Sequence, residues 1–141
     1  MHGQKAQPTK EETITFMEKV LKGGVGMSFE WETIIQDVTF EGDNMVIFSS
    51  SDENRTYYIS NLPWEYLDKS NFKSGNSYCN FGIYFTKNYK RRDKYADYPE
   101  ATEFLNELNL SIPHDKIESF KKACIRLSEI YAEENKDPFA D

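Results

Sequence analysis

Lys87-Asn88-Tyr89-Lys90-Arg91-Arg92-Asp93-Lys94 packs five bases and one acid into eight residues. That is a local charge of +4 in a chain whose net charge is −7, so the remainder carries −11. Clustered cations can hold phosphate groups, an anionic membrane surface or an acidic protein. The neighbouring Tyr89 and Tyr95 could stack on whatever is held. The plainer reading is a solvated edge strand, blunted by Lys and Arg against pairing with other chains. Lys87, Tyr89, Lys90, Arg91, Arg92 and Lys94 are therefore the candidate ligand- or partner-binding residues, on a loop or strand end just past a strongly alternating segment.

Catalytic resources are sparse. The two histidines are His2, in a polar leader, and His114, in a loop before the last helix. There is no Gly-x-Ser-x-Gly elbow, and neither Cys79 nor Cys124 sits in a nucleophile motif. Their separation, with one histidine between them, fits no zinc spacing. Each lies on the apolar side of its own element, so they are either a disulfide pair, Cys79 to Cys124, or two buried thiols acting as small hydrophobes. Glu30 and Glu32 flank Trp31; on a strand their carboxylates would project side by side about 7 Å apart, a geometry for acid/base work on a sugar. Two exposed carboxylates opposite a buried Trp also describe any half-buried strand. No catalytic residue, metal site or cofactor is assigned.

With 141 residues the chain has room for one domain with a real core. Aromatics make up 15% of it, which favours strands. No apolar run approaches the ~20 residues that cross a bilayer as a helix. A pI near 4.9 argues against general nucleic-acid binding. Residues 1–8 are expected to be a disordered leader, 9–136 the domain and 137–141 a tail. The leader fits either an exported protein that has lost its signal or a cytosolic one, and the oligomeric state is left open.

Several elements must position these groups. Thr9 and Glu12 have capping-box spacing ahead of a helix with Ile14, Met17 and Leu21 on one face. Gly23-Gly24 is expected to end it through a left-handed cap. Met27 to Phe40 alternates with a change of parity near Gln36, which predicts one long bulged strand carrying Glu30, Trp31 and Glu32. Met45–Phe48 and Thr56–Ile59 read as further strands of a meander, with a polar loop over 49–54. Trp64 to Leu67 reads as a helical turn, and Tyr78 to Phe85 is the cleanest alternation. Tyr95 to Ile112 fits helix or strand, with a strand over 103–112 preferred. Asp115 and Glu118 form a second cap-like pair before an amphipathic helix with Ile117, Phe120, Cys124, Leu127 and Tyr131 in one stripe.

The fold class is thus α+β: an antiparallel strand-rich sheet or partly open barrel, closed by the C-terminal amphipathic helix, with an additional N-terminal helix. This arrangement resembles the pleckstrin-homology-like superfold, in which a helix caps an antiparallel barrel. The helix ending in Lys136-Asp137-Pro138-Phe139 is also similar to small exported bacterial domains of unknown function. The resemblance implies an anionic-headgroup site at the first hairpin. Here that hairpin is the acidic Glu41-Gly42-Asp43-Asn44, which points away from phosphoinositides. Two functions stay open. One is a non-enzymatic module that binds a protein or anionic ligand through Lys87–Lys94 or an aromatic face. The other is a small-ligand pocket or enzyme lined by Trp31, Trp64 and tyrosines.

Overall fold

The structure, a computed structural model, describes residues 6–75, 78–136 and 139. Residues 1–5 of the leader, with His2, lie outside these described residues, as do 137, 138, 140 and 141 of the tail. The first element, α1 (Lys10–Lys22), begins as its capping box dictates. Thr9 Oγ1 accepts from the Glu12 amide at 3.1 Å, and Glu12 Oε1 accepts from the Thr9 amide at 2.9 Å. Met17, Val20 and Leu21 are buried from this helix. Its end differs from expectation, because Gly23 has a right-handed backbone, φ −64°. Glycine is needed there for close approach instead. A Cβ on Gly24 would strike the Ser111 carbonyl, and one on Gly23 would lie 2.8 Å from the Pro113 ring.

Six strands follow in chain order, each antiparallel to the next: β1 (Ser28–Phe29), β2 (Thr33–Phe40), β3 (Met45–Ser50), β4 (Asn54–Ser60), β5 (Phe81–Tyr95) and β6 (Ala101–Leu110). The meander curls into a half-barrel. Side chains draw its two ends together: Ser111 Oγ donates to the Ser28 carbonyl at 2.6 Å, and Asn109 Nδ2 reaches Glu30 Oε1 at 3.3 Å.

The expected bulge near Gln36 is present as a register shift between Ile35 and Asp37. The single strand over 27–40 is not. It is a hairpin, in which Phe29 pairs with Thr33 around a 3-10 turn, Glu30–Glu32. Trp31 and Glu32 there adopt left-handed backbone, φ 61° and 58°. β3 runs on to Ser50 and β4 starts at Asn54, so only 51–53 remain of the expected loop. The ambiguous stretch before Pro113 is strand β6.

The last helix, α2 (Ile117–Glu134), buries Phe120, Ala123, Cys124 and Leu127. The Phe120 ring meets Phe81 of the sheet edge-on at 5.6 Å. An Asp115–Glu118 cap is absent, since a 3-10 turn, His114–Lys116, runs directly into α2 and supplies the lead-in instead. Between helices and sheet, Trp64 sits edge-on to Phe40 and Phe85 and donates its Nε1 hydrogen to the Gly42 carbonyl at 2.6 Å. Trp64 is a core residue with its polar atom satisfied. Lys10 Nζ and Glu134 Oε1, 2.9 Å apart, tie the two helices together at the surface.

Candidate binding surface

The basic segment is neither loop nor edge. It forms the second half of β5, paired with β4 on one side and β6 on the other. Strand alternation therefore divides it. Lys90, Arg92 and Lys94 share the outer face with Ser60, Tyr58 and Thr56 of β4, and with Phe104 and Thr102 of β6. Tyr89, Arg91 and Asp93 share the core side with Ile59 and Tyr57. Of the six candidates, three line up on the outer face. Tyr89 and Arg91 turn inward, and Lys87 stands apart in the irregular stretch before them, with its Nζ 4.0 Å from the Tyr66 ring.

The outer strip is basic and aromatic together. The Arg92 guanidinium lies 4.6 Å over the Tyr58 ring and 2.8 Å from Glu100 Oε1. Lys94 Nζ donates to the Tyr98 carbonyl at 2.7 Å. The Lys90 ammonium has no hydrogen-bond or ion-pair partner among the described residues. Phe104, directly opposite Lys90, is 65% exposed and Tyr58 is 36% exposed.

The inward half builds a different feature. Arg91 sits between Glu30 Oε2 at 3.2 Å and Glu103 Oε2 at 2.6 Å, above the Tyr57 ring at 4.9 Å. Burial works against its charge, but the two carboxylates outweigh that and raise its pKa. Arg55 makes two hydrogen bonds to Asp93, at 3.1 and 2.7 Å, and its guanidinium lies 4.9 Å from both the Trp31 and the Tyr95 rings. Burial pushes the Tyr57 phenol well above its ordinary pKa. The Tyr57 hydroxyl, Arg91 Nε and Asn109 Oδ1 are buried with no hydrogen-bond partner among the described residues. Beside them Glu30, Trp31, Tyr78 and Arg91 line an open hollow of about 320 Å³.

The paired-carboxylate idea fails here on geometry. The hairpin turn sends Glu30 inward to Arg91 and Asn109, while Glu32 stays outside near the Tyr78 hydroxyl. Trp31, read as a buried strand residue, is 65% exposed at the hairpin tip.

Cys79 and Cys124 are both buried thiols, with no disulfide joining them. Burial, with Glu30 nearby, pushes the Cys79 thiol up to about 12, and burial also raises Cys124, so neither is primed as a nucleophile. His114 is exposed and borders a hollow of about 420 Å³ with Phe72, Lys73 and Lys121. Among the described residues no three His, Cys, Asp or Glu side chains converge as a metal site would need, and no helix is long and apolar enough to cross a membrane.

Sequence reasoning missed the guanidinium stack of Trp31, Arg55 and Tyr95. Its one readable signal was Arg55-x-Tyr57-x-Ile59, which alternation places on a single face of β4. No family model matches this chain, and neither a curated protein nor a solved structure matches it.

Proposed function

We propose that this chain is a non-catalytic binding module whose outer sheet face receives an acidic, extended segment of a partner protein. The observation that carries the reading is the alignment of Lys90, Arg92 and Lys94 on one face of β5, flanked by exposed Tyr58 and Phe104. Alternate residues of a strand stand about 7 Å apart, the same spacing as alternate side chains of an extended peptide. Acidic groups at every second position would meet the three cations in turn, while the aromatic rings accept apolar side chains between them. On a chain of net charge −7 such a strip also orients an approaching partner, since the rest of the surface repels it. The curled meander with its closing helix is compatible with a pleckstrin-homology-like arrangement. The turn Glu41–Asn44 supplies no base for a lipid headgroup, which favours the protein partner over the membrane.

The test is a fluorescence-anisotropy titration with a labelled peptide of alternating Glu and Leu, across a salt series, beside phosphatidylserine vesicles. The expected result is peptide binding at low salt that weakens as salt rises and falls at least about tenfold when Lys90, Arg92 and Lys94 are replaced by Ser. No binding by the parent protein at low salt, or binding to vesicles alone, overturns the proposal.

A second reading rests on the unpartnered Tyr57 hydroxyl and Arg91 Nε beside the hollow under Trp31. Such groups fit a small polar ligand with a flat face for the indole. A rise in melting temperature with a neutral sugar, lost in Trp31→Ala, would support it.

A further inference from the structure

We propose that β6 pairs antiparallel with β6 of a second copy of this chain, with Phe104 facing Phe104 across a twofold axis. β6 is the last strand of the sheet, ten residues long, and no strand pairs with its far side among the described residues. The opposite edge, β1, has only two residues. A terminal strand offers a row of unpaired amides and carbonyls, which proteins commonly guard with Lys, Pro or a pronounced bulge at the edge. Ala101-Thr102-Glu103-Phe104-Leu105-Asn106-Glu107-Leu108-Asn109-Leu110 contains neither Lys nor Pro. Its two charges are already answered within the molecule, Glu103 by Arg91 at 2.6 Å and Glu107 by Lys73 at 3.0 Å. Held in this way, they oppose an incoming strand only where it sets another carboxylate directly across from them.

Charge and sterics select the register. Pairing centred on Glu103 or on Glu107 sets identical carboxylates opposite one another, and pairing centred on Leu105 sets Glu103 against Glu107. Directly opposed like charges destabilise a sheet. A register centred on Asn106 carries the partner strand toward 109–111, where Ser28 and Glu30 already engage Ser111 and Asn109. One centred on Thr102 runs off the strand. Centring on Phe104 places Glu103 against Leu105, Thr102 against Asn106, and the two exposed rings together. This arrangement is isologous and closed, so it stops at a dimer. The outer strips of the two copies then lie three strand spacings apart, roughly 14 Å, beyond the Debye length of about 8 Å at physiological salt. They flank the Phe104 pair without strong mutual repulsion.

The inference does not depend on the acidic partner, and its test needs none. Sedimentation velocity of the full chain should show a monomer–dimer equilibrium below about 1 mM that Phe104→Lys abolishes, with the circular dichroism spectrum kept. Under mild oxidation Phe104→Cys, at the self-opposed position, should form a covalent dimer at least about tenfold faster than Asn106→Cys, whose partner is Thr102. The parent protein, with Cys79 and Cys124 buried, gives the background. A parent chain that stays monomeric throughout overturns the proposal. So does a dimer in which Phe104→Cys and Asn106→Cys cross-link alike.

Discussion

The Tyr89 hydroxyl donates to the Glu107 carbonyl at 2.6 Å, bridging the place where the β5–β6 ladder skips register. Below the skip Tyr84 pairs with Glu107; above it Tyr89 pairs with Leu105. A buried phenol thus ties the two strands together where their pairing is irregular. Tyr89→Phe keeps the ring and removes that hydrogen bond, and should lower unfolding free energy by about 1 kcal/mol, read from urea titration. Because the outer strip is untouched, binding of the acidic peptide at low salt should not change.

Arg55 and Asp93 form a shielded ion pair, with side chains 14% and 10% exposed. Removing one partner leaves the other charge buried, so Asp93→Ala should cost about 3–5 kcal/mol in chemical denaturation. Arg55→Met combined with Asp93→Leu should cost clearly less than Asp93→Ala alone. A double variant as unstable as the single one would show that shape, rather than charge pairing, governs the site.

The turn between β2 and β3 needs glycine at position 42. Gly42 has φ +95°, and a Cβ there would lie 2.6 Å from the Tyr131 hydroxyl and 2.9 Å from Ile14 Cδ1. Gly42→Ala should destabilise the fold by about 1–3 kcal/mol through backbone strain and displaced helix contacts. Gly26, with a similar positive φ and open space around it, is the control: Gly26→Asn should cost less than about 1 kcal/mol.

Alkaline pH should weaken the protein from about pH 9. Burial raises the Cys79 thiol from 9.0 to about 12, so between those values the native state keeps a proton that the unfolded chain releases. Stability is complete below pH 9 and falls as pH rises toward 12, by up to about 1.4 kcal/mol per unit for one such group. The phenols of Tyr57 and Tyr89, also raised by burial, add to the loss above their ordinary value of 10.0. In Cys79→Ala the loss above pH 9 should be shallower but begin at the same pH, because the Cys124 thiol, also raised by burial, still releases its proton on unfolding; urea midpoints across the range read the slope.

Where sequence and structure agree, local rules suffice. The Thr9–Glu12 box and the parity change at Gln36 are written in consecutive residues, and both are present. The Glu30–Glu32 turn escaped notice because it contains no Gly, Asn or Pro, and Trp31 and Glu32 occupy a backbone region that side chains rarely enter. Phe29, Thr33 and Ile35 kept a false alternation through it. In the sequence the alternation ends at Phe85, ten residues before β5 does, because Arg91 and Asp93 read as solvent residues. Only their distant partners, Glu30, Glu103 and Arg55, make those charges tolerable inside. Long-range ion pairing leaves no mark in a local pattern, so the outer strip of Lys90, Arg92 and Lys94 emerged only once β4 and β6 were in place.

Thr86, Lys87 and Asn88 are three exposed residues in succession, seated at the register skip between Phe85 and Tyr89. They behave as a spacer whose length sets the phase of everything downstream. Deleting one of them would rotate the following strand by half a period, turning Lys90, Arg92 and Lys94 toward the hydrophobic interior and Tyr89 toward solvent. Every residue from Tyr89 to Lys94 would remain, yet the chain would lose its cationic stripe and its core at a single stroke, while an even-numbered change would spare both.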